Sequence, residues 1–518
     1  MIIGIDTGGT NVDAVLIDER GVVSKAKVPN AETRTSIATV LEDLLAATPD
    51  ADVDRVVVAT TLVVNAAVQD RLPGCTNVVV PGPGLAPARA FFGEENVVAA
   101  GGIDPRGRVI EDAAVDATPG EATTAITAKF ASRNPDLERS VRDALDVETV
   151  ALGNESGAGL SFPERAATTV ANAKAKPVFA EYEADVQAAL EAVDVDAPVY
   201  YLKGDASMLG ARSMTATPAH TLRGGSAASA LGLVALTGED DAVAVDVGGT
   251  TTDVTLVREG FPAVERGIEE GDIEPAYEGV VARSLPVGGD TRIADGPSLA
   301  AERVGNAVAF GGAEPTLTDA LHVLGEFTDG DESAARERIA DLGDPEAVAT
   351  DVLDQYVERV ADAIADVAGH VETVAVGGVL AQYLGERVVA ATSADDLVVP
   401  EHADVAGAVG CGVARVSVET AVHADSARGV LTVTAVGPES VETIEQGRRF
   451  TNEQVREMAI ERARAAAADA GGDPDAEAEV RSLERFSVVE RTEVAGQIFD
   501  ATARIVPGIE YRFGGEGA

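Results

Sequence analysis

The sequence predicts an α/β protein of two large lobes facing each other across a cleft, with a small α+β unit at its C-terminal end. Three observations predict it. The 518 residues exceed the span of one ordinary core. Apolar runs with strand and helix periods alternate along most of the chain. One pattern, Asp-x-Gly-Gly-Thr-x-x-Asp, stands at 6–13 as DTGGTNVD and at 246–253 as DVGGTTTD, each copy directly after a short apolar run. Two copies with matching flanks assign one to each lobe, and the expected division is 1–239, 240–424 and 425–518.

The elements follow in order. From Ile2 to Asp13 the pattern is an apolar strand and a Gly-Gly turn running into a second strand, VDAVLID, which reads as a hairpin. Ile37, Val40, Leu41, Leu44 and Leu45 fall on one face of a helix over 34–47. The run DRVVVATTLVVNAAV is a strand entering a helix at Thr60-Thr61, a common ligand position in α/β proteins. From 86 to 150 the chain is acidic and broken by Gly and Pro, and its pieces are left unordered. A strand at 197–204 and a helix of small residues at 223–236 precede the second hairpin, AVAVDVGGTTTDVTLV. A long amphipathic helix then carries Val352, Leu353, Tyr356, Val357, Val360, Ile364 and Val367 on one side and stops at Gly369. The strand TVAVGGVL follows. Gly407, Gly410 and Gly412 then lie in a helix that they weaken, so close backbone packing or ligand approach is the expected gain. Beyond about 425 a strand, a helix capped by Thr451 and Gln454, and two further strands suggest a βαββ appendage.

Charge bears on habitat and partners. Asp and Glu number 87 against 40 Lys and Arg, a formal charge of −47, and only six residues are lysine. At molar salt the Debye length falls to ~3 Å, so such a surface suits a salt-loaded, halophilic cytoplasm. The same balance argues against nucleic-acid and membrane partners, which require a basic face. Two cysteines, Cys75 and Cys411, make no disulfide framework and fit a reducing cytosol. The N-terminus lacks the charged flank of a signal peptide, and no apolar run approaches the ~18 residues of a membrane span. The five histidines, His220, His322, His370, His402 and His423, lack ligand spacing, which argues for solvated or singly bonded rings rather than a zinc site or a catalytic triad.

The duplicated turn carries the chemistry. Paired glycines let backbone amides approach an anion and the threonine hydroxyl can donate to it, so each turn is suited to phosphate. An aspartate beside phosphate makes sense with a divalent cation between them. Mg²⁺ keeps several waters and uses few carboxylates together with phosphates, so Asp6 and Asp246 are the candidate metal residues. The chain has no GxxxxGK[ST] and no GxGxxG after its first strand, which excludes a P-loop and a dinucleotide fingerprint.

Two such hairpins and the late VAVGGVL (374–380) resemble the actin, Hsp70 and sugar-kinase ATPase superfamily, whose lobes have a ribonuclease H-like fold. Within it the chain is most similar to the hydantoinase A/oxoprolinase family. GGAEPTLTDALHVLGEF (311–327) looks like that family's Glu-Pro-Thr-aliphatic-Thr-Asp-Ala block. ERAATTVANAKAKPV (164–178) and ATTLVVNAAV (59–68) resemble two further segments, and the likeness covers about 1–420. It departs at KGDAS (203–207) and VGGDTRIA (287–294).

The resemblance implies ATP and Mg²⁺ as cofactors and hydrolysis of a small cyclic amide (hydantoin, 5-oxoproline or a related lactam) activated by phosphorylation of its oxygen. It also implies a hydantoinase B-like second subunit in a homo- or hetero-oligomer. It places Gly8, Gly9, Thr10, Asn11, Gly248, Gly249, Thr250 and Thr251 around the phosphates and Gly377 and Gly378 against the nucleoside. Asp6, Asp246 and Asp319 become the catalytic candidates. Asp319 has a second reading as a helix cap, Asp13 and Asp253 one as hairpin stabilisers, and Thr60, Thr61 and Asn65 one as cleft lining or N-cap. The alternatives on the same scaffold are a small-molecule kinase and a non-metabolic ATPase.

Overall fold

In a computed structural model of the chain, residues 1–49, 51–116, 118–145, 147–157, 159–437, 441–445, 450–490 and 493–514 are described. The first hairpin, Ile2–Thr7 with Asn11–Asp18, lies inside a six-stranded sheet. The strands run in the order Met208–Gly210, Val199–Leu202, Arg55–Thr60, Ile2–Thr7, Asn11–Asp18 and Gly21–Pro29. The second hairpin, Ala242–Val247 with Thr252–Arg258, is repeated in a second six-stranded sheet, where Thr373–Gly377 pairs in parallel with Ala242–Val247.

Two helices, Gly224–Thr237 and Ala406–Val413, fill the space between the sheets. A Cβ at Gly232 would overlap the Ala406 carbonyl and one at Gly410 the Ala228 carbonyl. The glycines thus serve close backbone packing, which recovers the helix propensity they cost. The second helix falls in the sequence of the second lobe, yet Ala408, Val409, Cys411 and Val413 belong to the core of the first. The second lobe's core is built on the helix Pro345–Ala368, which Asp344 caps and Gly369 ends at φ 68°.

The region left unordered by the sequence forms a unit of its own. Val150–Leu152, Thr123–Ala128, Cys75–Val80 and Glu95–Val98 make a four-stranded parallel sheet. The C-terminal unit is a five-stranded sheet with one helix, Asn452–Asp469, rather than βαββ. Its central strand, Glu419–Asp425, precedes the expected boundary. That strand pairs with Val430–Ala435 on one side and Glu493–Ile505 on the other. Arg106–Asp425 and Arg133–Asp500 ion pairs, 2.7 and 2.9 Å, tie this unit to the inserted one. Among the described residues no helix is long and apolar enough to cross a membrane.

Candidate active site

The antiparallel register sets Asp6 opposite Asp13 and Asp246 opposite Asp253. Directly paired residues point to the same face, so each hairpin presents two carboxyl groups together. All four line one cleft of about 440 Å³ between the lobes, with Gly8, Gly9, Thr10, Asn11, Gly248, Gly249, Thr250, Thr251 and Gly378. The turns meet at their tips, where Thr10 Oγ1 and Thr250 Oγ1 are 2.9 Å apart. Thr10 Oγ1 also donates to Asp290 Oδ2 at 3.3 Å. The Gly8 and Gly248 N–H groups are spent on their own turns, donating to Asn11 O and Thr251 O at 3.0 Å. What these two glycines give the cleft is a wall without side chains.

The cleft is rich in buried acid. The Oδ1 atoms of Asp6, Asp13 and Asp253 are buried without a hydrogen-bond partner. Burial, and then the Asp13 and Asp246 carboxylates, hold the Asp6 carboxyl well above the usual range. Burial pushes Asp13 up to about 6 against the opposing pull of Lys27, whose Nζ lies 2.9 Å from Asp13 Oδ2. It pushes Asp253 up to about 6 as well. Asp246 is also raised by burial, although the Ser229 hydroxyl bonds to it. Buried carboxylates in such a group call for a cation. Among the described residues no group of three or more His, Cys, Asp or Glu is arranged to enclose a metal ion. Two carboxylates, with orphaned oxygens nearby and room for water and phosphate, suit Mg²⁺ rather than an ion caged by protein.

Residues 2–149 match the family model "Hydantoinase/oxoprolinase N-terminal region", and residues 165–420 match "Hydantoinase/oxoprolinase". The chain belongs to the hydantoinase/oxoprolinase family. It is 25% identical over 381 residues to the caprolactamase subunit alpha of Pseudomonas jessenii, covering 63% of this chain and 55% of that protein. The match thus spans little more than half of the relative's length. Nucleotide-free acetone carboxylase shares its fold with a TM-score of 0.69 at 14% identity, over 97% of this chain and 87% of that one. The ATP-dependent caprolactamase from Pseudomonas jessenii does so at 0.67 and 18%, with the same coverage. The two-lobed α/β fold expected from the hairpins is the one adopted.

In this member of the hydantoinase/oxoprolinase family two expected site residues lie elsewhere. Asp319 is fully buried and caps the helix Leu317–Val323. It accepts from the Val308, Ala309 and Thr316 N–H groups at 2.8–2.9 Å and from Thr316 Oγ1 at 3.1 Å. These bonds occupy both oxygens, so the capping reading replaces the catalytic one. Gly377 ends its strand opposite Asp246, and Gly378 alone of the pair lines the cleft. Thr61 and Asn65 line it too, whereas the buried Thr60 accepts from the Leu62 N–H at 3.1 Å.

The sequence reading missed Lys27, Ser229 and Asp290. Lys27 could have been found, since strand alternation on Gly21–Pro29 sets it opposite Asp13. Asp290 comes from VGGDTRIA, whose backbone packs on the second turn: Gly289 N donates to Gly248 O at 3.0 Å and Asp290 N to Gly249 O at 2.7 Å.

Proposed function

We propose that the chain is an ATP-dependent amidohydrolase acting on a small cyclic amide, working with a second subunit. The observation that carries the reading is the pair of Gly-Gly-Thr turns meeting at 2.9 Å above buried, unpartnered carboxylate oxygens, in a chain of this family. The name of the Pseudomonas jessenii relative, a subunit alpha, supports the partner.

The geometry supports the following roles. Asp6 and Asp246, one from each lobe, would hold Mg²⁺, which would neutralise charge on the ATP phosphates. Gly8, Gly9, Thr10 and Asn11 line one side of the phosphates, and Gly248, Gly249, Thr250 and Thr251 the other. Gly378, a glycine because a Cβ at its φ of 89° would overlap the Val247 carbonyl, would present bare backbone to the nucleoside at the cleft wall. Lys27 keeps Asp13 ionised beside this site. The amide oxygen attacks the γ-phosphorus and ADP leaves. Water then adds to the activated ring carbon, the C–N bond opens with the ring nitrogen taking up a proton, and a second water hydrolyses the resulting acyl phosphate to carboxylate and inorganic phosphate. Placement and charge neutralisation carry most of the rate in such a transfer.

Phosphate release from ATP by the purified chain, with Mg²⁺ and each of hydantoin, 5-oxoproline and caprolactam, tests the reading. Stimulation by one of them with stoichiometric ring-opened product is expected. A phosphorylated product that keeps its phosphate would replace this reading with a kinase.

A further inference from the structure

A second cavity of about 420 Å³ lies where three parts of the chain meet. Lys203, Asp205 and His220 of the first lobe form one wall, Tyr277 and Glu278 another, and the C-terminal sheet, through Glu419, Ser482, Thr502 and Arg504, the third. KGDAS, one of the departures from the family pattern, supplies Lys203 and Asp205.

The first wall is rigidly built. Asp205 Oδ1 accepts from the Ser207 N–H and hydroxyl at 3.1 and 2.6 Å, and Asp205 Oδ2 lies 2.9 Å from Lys203 Nζ. Lys203 and Asp205 are 6% and 8% exposed. The His220 ring stacks on Tyr277, centroids 3.5 Å apart, and Asn172 Nδ2 donates to the Tyr277 hydroxyl at 2.9 Å. His220 Nε2 is nevertheless buried without a partner. Burial, and then the charge of Lys203, push this imidazole down to about 3, so it is neutral. With its proton on Nδ1, Nε2 is an acceptor. Lys203, with one N–H directed to Asp205, retains N–H bonds for a ligand.

A neutral acceptor beside a cationic donor matches the edge of a cis amide, which offers N–H and C=O side by side, as only a small ring enforces. We propose that this cavity binds the lactam or cyclic imide, its N–H donating to His220 Nε2 and its oxygen accepting from Lys203 Nζ. The inference rests on the amidohydrolase reading for the identity of the ligand. The same two segments that wall this cavity reach the nucleotide cleft through Arg223 and Glu270, which are joined at 3.2 Å.

Titration calorimetry with hydantoin, 5-oxoproline and caprolactam, each with ADP and Mg²⁺ present, tests it on the wild type, Lys203→Met, His220→Leu and Ser482→Trp. Ser482 is exposed on the C-terminal sheet, so its replacement narrows the cavity without disturbing the buried pair. One ring compound should bind the wild type and weaken at least 10-fold in every variant, while ADP binding is unchanged. Wild-type affinity in Lys203→Met and Ser482→Trp would overturn the site, as would no binding of any ring compound to the wild type. Lactam-dependent ATP hydrolysis whose KM none of the three variants moves would sink the site and leave the amidohydrolase standing. Lactam binding lost in the variants, without any ATP-dependent ring opening, would do the reverse.

Discussion

The two hairpins share a motif and a register, yet their surroundings differ. In the first, Asp13 has a cation, Lys27 at 2.9 Å, and Asp6 has no hydrogen-bond partner for Oδ1. In the second, Asp246 holds the Ser229 hydroxyl, and Asp253 leans on Ser284 and Ser226 rather than on a cation. The second turn is also packed from behind by Gly288–Asp290, donated by its own lobe. A repeated motif fixes backbone geometry, and the neighbours then divide the work. The first turn carries an ion pair beside it, whereas the second is buttressed by packing.

The largest break in the comparison should come at the carboxylates both halves need. Asp6→Asn and Asp246→Asn are each expected to lower ATP turnover on the order of 10³-fold, as loss of a transition-state charge partner does, with an unchanged circular dichroism spectrum. Wild-type phosphate release in either variant rules out the shared-metal assignment.

Next is the pH dependence of the metal-free protein. The Asp253 carboxyl lies at about 6 when folded and near 3.8 otherwise, so the folded state binds the proton more tightly. The contribution of this group to stability is therefore greatest below about 4, falls as pH rises towards about 6, and stays low above, a loss on the order of 3 kcal/mol. Denaturant melts in EDTA should show that slope, flattened in Asp253→Asn and offset in the wild type by added Mg²⁺. Identical slopes in the two proteins would mean that Asp253 is ionised without penalty.

The twin turns were legible because their signals are local: the glycine pair fixes the bend, and the seven-residue spacing puts each aspartate opposite its mate. Asp319 carried two readings for the same reason. Thr316-x-x-Asp319 writes a capping box and a catalytic block with the same letters, and only the Val308 and Ala309 N–H groups, 11 and 10 residues from Asp319 in sequence, distinguish them. The inserted sheet escaped the sequence because its strands are short and pair in parallel with distant partners, as Cys75–Val80 does with Thr123–Ala128. The second cavity escaped because its walls come from residues 156–160, 203–220, 266–278 and 417–504.

Packing behind the turns sharpens the contrast further. A Cβ on Gly9 would meet only Thr250 Oγ1, at 3.7 Å, whereas one on Gly249 would stand 2.7 Å from Asp290 Oδ2 and 2.9 Å from Thr10 Oγ1. Gly9→Ala should therefore be near neutral, and Gly249→Ala should cost about 2 kcal/mol in chemical denaturation and weaken ATP binding. Equal effects at the two positions would remove the asymmetry between the turns.

The smallest effect tests whether the turns are coupled at all. Thr10 and Thr250 share one hydrogen bond across the cleft at 2.9 Å, and each belongs to a different lobe. Thr10→Val and Thr250→Val should each cost about 1 kcal/mol, the net worth of such a bond. Because both remove the same bond, the double variant should cost less than the sum by about that amount, with Thr10 losing slightly more through its second partner, Asp290. A nucleotide seated between the turns must part the two hydroxyls, so the coupling energy should vanish when the cycle is repeated with saturating ADP and Mg²⁺. Full additivity without nucleotide would mean that the tips do not touch in solution and that the lobes rest open. Coupling that persists with nucleotide bound would place the phosphates to one side of the tips rather than between them.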